Sequence, residues 1–181
     1  MTARLTLSLL VFMAGTLFYS AHSLAQDEPE IGELTYLDRG FMLQQRELIN
    51  DIAATNLGRQ FSGEKIRDLD LLQALLDREL VKPDQTRELQ AMGLILGDLL
   101  AADLDLDWVI YEDKQGRSRA LRYADTDNYH FPMTMIARRL EADSHTPVVA
   151  IYDKAYQSIY RIQPERPFQQ PNTLLNDRST Q

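Results

Sequence analysis

From Met92 to Leu100 the chain reads Met-Gly-Leu-Ile-Leu-Gly-Asp-Leu-Leu. Apart from Asp98 this stretch has no polar face on a helical projection. A helix that is apolar on every side must be covered on every side. Gly93 and Gly97 stand one turn apart within it. Each glycine inside a helix costs about 1 kcal/mol relative to alanine, so two at this spacing predict a neighbour packed close against the backbone. The helix is predicted over 85–102, capped by Asp84, at the centre of the core. The charges from Asp84 to Glu88 and at Asp98 exclude the membrane-dimer reading of the same glycine spacing.

Other periodic segments supply the cover. One helix is predicted from about Arg39 to Leu57, with Asp38 as N-cap, Phe41, Leu48, Ile49 and Ile52 on its apolar stripe, and Gly58 at its stop. A second runs from about Gly63 to Leu80, with Ser62 at its start, an apolar face of Ile66, Leu69, Leu72, Leu76 and Leu80 flanked by Leu71 and Leu75, and Pro83 beyond its end. After the central helix the period changes to two. Trp108–Tyr111 and Ser118–Ala124 read as strands around an Asp113-Lys114-Gln115-Gly116 turn, with Tyr129–Phe131 as a short third strand. Pro132 opens a fourth helix that turns Met135, Ile136 and Leu140 inward. Thr146-Pro147 opens a fifth. Residues 147–152 alone also suit a strand, but the longer helical period of Val148, Ile151, Tyr152, Ala155 and Ile159 favours a helix. The expected fold is α+β: helices packed on a small three-stranded antiparallel sheet, with two additional N-terminal helices, in one domain over 37–162.

The order Leu89-Gln90-Ala91-Met92-Gly93-Leu94-Ile95-Leu96-Gly97-Asp98, Asp107-Trp108-Val109, the Gly116 turn, Arg119-Ala120-Leu121, Phe131-Pro132, Met135-Ile136 and Arg138-Arg139 resembles the bacterial family known as domain of unknown function 3806. The resemblance covers roughly residues 84–160. It implies a fold and assigns no catalytic residue. The first two helices lie outside it and rest on pattern alone.

The chain begins with Arg4, an apolar run from Leu5 to Tyr19, and the small-residue exit Ser23-Leu24-Ala25. This is the order of a secretory signal, so residues 1–25 are expected to be a signal peptide cleaved after Ala25, with export to a bacterial periplasm. The alternative is an uncleaved N-terminal anchor. The run is about 15 residues, short of the roughly 20 that span a hydrocarbon core, and no stable membrane insertion is expected after cleavage. Residues 26–36 read as a flexible acidic spacer, and the Pro/Gln-rich residues 163–181 as a disordered tail that cannot bury enough surface to order itself. The absence of cysteine excludes disulfides, thiolate metal sites and thiol nucleophiles. Without residues 1–25 the chain holds 18 basic against 27 acidic residues, a net charge of −9. Such a chain is repelled by phosphate backbones, so no nucleic-acid partner is expected.

Chemistry-bearing motifs are sparse. Asp103, Asp105 and Asp107 form a D-x-D-x-D run that could reach one hard cation, but Trp108 stands where a calcium loop needs its glycine and Lys114 where it needs its bidentate glutamate. The bland reading is a solvated connection with Leu104 and Leu106 turned inward. His130 and His145 have no acid–base partner proposed by the sequence. Gly93-x-x-x-Gly97 lies inside a helix and no Lys-Ser/Thr follows, so it is not a phosphate loop. No catalytic residue and no cofactor is predicted. Met133, Arg138 and Arg139 form a candidate interaction edge, and Tyr152, Tyr156 and Tyr160 form a stripe that is either core or contact surface. The function expected is a non-enzymatic periplasmic protein that binds another envelope protein. A hydrolase with an unidentified carboxylate site and an assembly protein that dimerises are the alternatives.

Overall fold

The computed structural model describes residues 28–142 and 146–163. The reading of residues 1–25 as a signal, that of 163–181 as a tail beyond its first residue Gln163, and the position of His145 lie outside the described residues.

Among the described residues four strands and five helices form one α+β unit, in the order β1 (Glu30–Glu33), α1 (Tyr36–Leu57), α2 (Lys65–Asp77), α3 (Thr86–Leu104), β2 (Asp107–Asp113), β3 (Gly116–Arg122), β4 (Tyr129–His130), α4 (Met135–Glu141) and α5 (Val148–Tyr160), with a 3-10 turn at Pro132–Thr134. The sheet is antiparallel in the order β1-β2-β3-β4. Three strands were expected, and β1 is the addition. It lies inside the acidic stretch taken for a spacer, and its residues pair with β2 from Glu30↔Glu112 to Glu33↔Val109. Four residues with two glutamates and a glycine show no strand pattern of their own. The ladder offered by β2 orders them.

Local chemistry sets the helix ends. Thr35, not Asp38, caps α1. Its Oγ1 accepts from the Asp38 N–H (3.2 Å), and the Asp38 carboxylate accepts from the Thr35 N–H (3.0 Å), a reciprocal capping box. The helix stops at Gly58, which takes the left-handed conformation (φ 62°) and donates to Ala54 O at 3.0 Å. The buried strip of α1 is Asp38, Met42, Gln45, Ile49 and Ala53, so the helix is rotated from the expected stripe and Phe41, Leu48 and Ile52 flank it. In α2, capped by Glu64, Leu69, Leu71, Leu72 and Leu75 are buried, and Ile66 is 63% exposed. The central helix α3 is enclosed as anticipated: Leu89 and every residue from Ala91 to Gly97 are buried. None of the helices in the described residues is long and apolar enough to cross a membrane.

The two α3 glycines meet the neighbour they require. A Cβ on Gly93 would lie 2.6 Å from the carbonyl oxygens of Met133 and Pro132; one on Gly97 would lie 2.5 Å from the Trp108 ring and 2.6 Å from Pro132 Cγ. The 3-10 turn and the Trp108 strand therefore sit on the bare backbone of α3, fixing the sheet on that side of the helix. Helices α2, α4 and α5 also pack on α3, so all helices lie on one side of the sheet.

Candidate functional site

A groove of about 320 Å³ between α1, α3 and the loop before α2 is lined by Arg46, Asn50, Phe61, Asp68, Asp98 and Leu99, among others. Two carboxylates converge there, the arrangement a hydrolase would need. Both are fully engaged. Asp98 accepts from Arg46 Nε (2.7 Å) and Nη2 (2.8 Å) and from Trp108 Nε1 (3.1 Å). Asp68 is buried and accepts from the Ser62 N–H (3.0 Å), the Gly63 N–H (2.7 Å) and Ser62 Oγ (3.3 Å). The bond to Asp98 raises the Arg46 pKa further above its usual value. Carboxylates held this way fix a loop and a helix pair, their oxygens taken up by these donors.

The three aspartates offered as a cation loop diverge. Asp103 turns back to accept from Lys65 Nζ (2.6 Å) and the Tyr152 hydroxyl (2.5 Å). Asp105 closes α3 in the left-handed region (φ 56°), exposed, and Asp107 begins β2 opposite Arg122. Leu104 and Leu106 are buried, which is what separates the acids. No group of three or more His, Cys, Asp or Glu side chains that could hold a metal occurs among the described residues.

His130 is half-buried, its Nε2 has no partner, and burial lowers its pKa. Its neighbour in sequence Asp125 accepts instead from Arg122 Nη1 at 3.3 Å. Met133 is buried with its backbone against Gly93, while Arg138 is exposed and Arg139 half-buried on α4. Tyr152 and Tyr156 are buried, and Tyr160 is half-buried. The rings stack at 6.1 and 5.9 Å. The expected interaction residues therefore do not come together on one surface: Met133, Tyr152 and Tyr156 build core, because α5 packs this stripe against α2 and α3. Burial, with the bond to Asp103, keeps the Tyr152 hydroxyl protonated far above its usual range.

Beside Tyr152, Asp153 is 5% exposed and its Oδ2 has no partner. Burial raises its pKa, opposed by the Lys65 charge. A carboxyl whose folded pKa lies above its unfolded value favours folding below the unfolded value, near 4, and loses that contribution as pH rises through the folded value. Asp153→Asn, uncharged throughout, should therefore be more stable than the parent at pH 7 by on the order of 1 kcal/mol. The gain should shrink toward pH 4, as read from urea midpoints at the two pH values. A constant difference would refute the assignment.

The surface that remains is the sheet face turned away from the helices. The register sets Ile31–Tyr111–Ser118 in one row, Glu33–Val109–Ala120 in the next, and Asp107–Arg122–Tyr129 in a third. Trp108, Arg119 and Leu121 alternate onto the helix side. The Tyr111 ring lies 5.0 Å from Tyr129 and 5.3 Å from Phe131, both edge-on, and the Arg122 guanidinium stands 5.7 Å over Tyr129. Ile31, Val109, Tyr111, Tyr129 and Phe131 are all half-buried and belong to neither core cluster. Beneath them Ala120 is buried, roofed by its neighbours. The result is an amphipathic aromatic platform rimmed by Glu33, Asp107 and Arg122. Sequence reading missed it. Alternation in Val109-Ile110-Tyr111 was its signal, but alternation alone does not say which face the helices cover.

This is a two-layer α+β fold with an open sheet face. Residues 68–152 match the family model described as Domain of unknown function (DUF3806), the family whose pattern the sequence resembles; the match begins within α2, earlier than the resemblance placed it. A crystal structure of a protein from Bacteroides thetaiotaomicron VPI-5482 is similar with a TM-score of 0.65 at 17% identity, over 72% of this chain and 48% of that one. The likeness is one of fold, and this chain spans about half the length of that structure. No curated protein matches the chain.

Proposed function

We propose that this is an exported, non-enzymatic binding protein whose open sheet face takes an extended, proline- and aromatic-bearing segment of another envelope protein. The observation that carries the reading is the platform of Tyr111, Tyr129 and Phe131 with Val109 and Ile31, facing away from every helix of the described chain. Half-buried rings with polar edges suit a ligand that stacks proline rings on them and leaves its polar backbone in water. Export rests on the Leu5–Tyr19 run and the Ser23-Leu24-Ala25 exit. The engaged state of Asp68 and Asp98 weighs against the hydrolase reading.

The test places a photoreactive residue at position 111 in intact cells, with position 43 on the exposed side of α1 as control. The expected result is an adduct at 111 and not at 43, mapped to an extended segment of the partner and reduced about tenfold or more by Phe131→Ala. Equal labelling at both positions, or no adduct at 111 while the purified protein turns over a substrate, would overturn the reading.

A further inference from the structure

The two outer edges of the sheet are unequal. Strand β1 is short, follows Pro29 and carries Glu30 and Glu33, the kind of edge that discourages further pairing. On the other side β4 pairs with only Leu121 and Arg122 of β3. Beyond Phe131 the chain leaves that lane for the 3-10 turn, whose carbonyls lie against the backbone of α3. Residues 116–119 therefore have no strand on their outer side, and among the described residues no backbone hydrogen bond runs there. Gly116, Arg117 and Ser118 are exposed. In an antiparallel ladder alternate residues turn their N–H and C=O away from the strand they pair with, so this stretch is a short unpaired ladder in line with β4.

From this geometry we infer that the partner segment adds as a strand to the outer edge of β3 at residues 116–119, end to end with β4. Its alternate side chains would be aromatic or proline on the open face and acidic on the helix side. The inference rests on the binding reading above and adds to it how the segment is held and in what order its side chains run.

An unpaired ladder selects an extended backbone, because only a strand presents its polar groups at the matching spacing. At ~3.3 Å per residue the lane is about 13 Å long, room for about four partner residues. On the open face the lane continues the row Ile31–Tyr111–Ser118. Gly116, Ser118 and Ala120 are small, so a ring on the added strand can lean across Ser118 toward Tyr111, whose ring already lies 5.3 Å from Phe131. On the helix side the nearest side chains of β3 are Arg117 and Arg119, which share the single carboxylate of Asp38. A carboxylate on the added strand would face one of these arginines directly, and opposite charges across a sheet attract. Proline fits only where its missing N–H points away from β3. A second copy pairing through the same edge would set arginine against arginine, which is unfavourable.

The experiment places the photoreactive residue at 118, 111 and 31 in turn, in the full chain in intact cells, and maps each adduct. Expected are adducts at 118 and 111 on one segment of one partner, and none at 31, the far end of the same row. A synthetic peptide of that segment then competes for the position-118 crosslink of the purified protein. N-methylation of its amides in one register should weaken competition about tenfold or more, and in the alternate register change it by less than about twofold. No adduct at 118, an adduct at 31 as strong as that at 118, or N-methylation that acts equally in both registers would overturn the inference. The segment would then lie flat across the face, and the binding reading would stand. An adduct from 118 to another copy of the chain would overturn the inference in favour of self-pairing. No adduct at 111 would remove the platform and both readings with it.

Discussion

Asp38→Ala should destabilise the protein by about 3 kcal/mol at neutral pH, read as a lower urea midpoint with unchanged slope. The Asp38 side chain is 2% exposed and collects three guanidinium contacts: Arg117 Nη1 at 2.8 Å, Arg117 Nη2 at 2.6 Å and Arg119 Nη2 at 2.8 Å. It also closes the capping box with Thr35. Removing the carboxylate deletes the reciprocal half of the capping box, its bond from the Thr35 N–H, and strands Arg119, whose Nε already lacks a partner and whose guanidinium lies 4.1 Å over the Phe41 ring. Arg117 is 40% exposed and can turn to water, which keeps the loss below the upper end for a broken buried pair. The pH dependence follows. Hydrogen bonds from Arg117, helped by those from Thr35, hold the Asp38 pKa far below its ordinary value against the opposing cost of burial. A depressed folded pKa means the contribution is complete above the unfolded value, near 4, and is lost as pH falls below it. Parent and Asp38→Ala should therefore converge in strong acid. Asp38→Asn should fall between them at pH 7, since it keeps a capping oxygen and loses the charge. A variant as stable as the parent at pH 7 would show that the α1–sheet clamp contributes nothing.

Gly93→Val should be comparably severe, about 3 kcal/mol or more, with Gly93→Ala already destabilising by about 2. In an ordinary helix glycine-to-alanine gains about 1 kcal/mol. Here the new methyl would sit 2.6 Å from two backbone carbonyl oxygens of the Pro132–Met133 turn, which cannot rotate out of the way as a side chain can. The turn must shift, and with it the packing of Met133 against Met42 and Leu94. Gly40→Ala in α1 is the control. A Cβ there meets nothing within 4 Å, so the same substitution should stabilise by up to about 1 kcal/mol. Opposite signs at positions 40 and 93, measured in the same denaturant series, test the close approach directly. Two stabilising results would mean that α3 and the turn stand further apart than described.

Read from the chain alone, α3 was recognisable for a physical reason: a helix without a polar face has one stable fate, and glycines spaced by one turn announce the approach that enforces it. The hairpin was legible because Gly116, at φ 125°, adopts a backbone conformation that residues with side chains rarely take. Helix α5 was legible because its apolar period outran any strand. The errors cluster where a second element decides. Strand β1 has no pattern and exists because β2 offers a ladder. Asp38 was legible as a cap residue, but Thr35 displaced it to the third position and two arginines about 80 residues away claimed it. Ile66 matched the α2 stripe and ended exposed, since periodicity marks a candidate face and neighbours choose its centre.

Composition and local periodicity thus determined the class of fold, its central helix, the hairpin and the scarcity of motifs for metal or nucleophilic chemistry, because those follow from which residues cannot face water and which backbones can turn. Which side of the sheet the helices cover, where Asp103 and Tyr152 point, and that Tyr111, Tyr129 and Phe131 gather on one open face were decided only in three dimensions. Each depends on register and on contacts between residues far apart in sequence, and a one-dimensional pattern carries no distance information of that range.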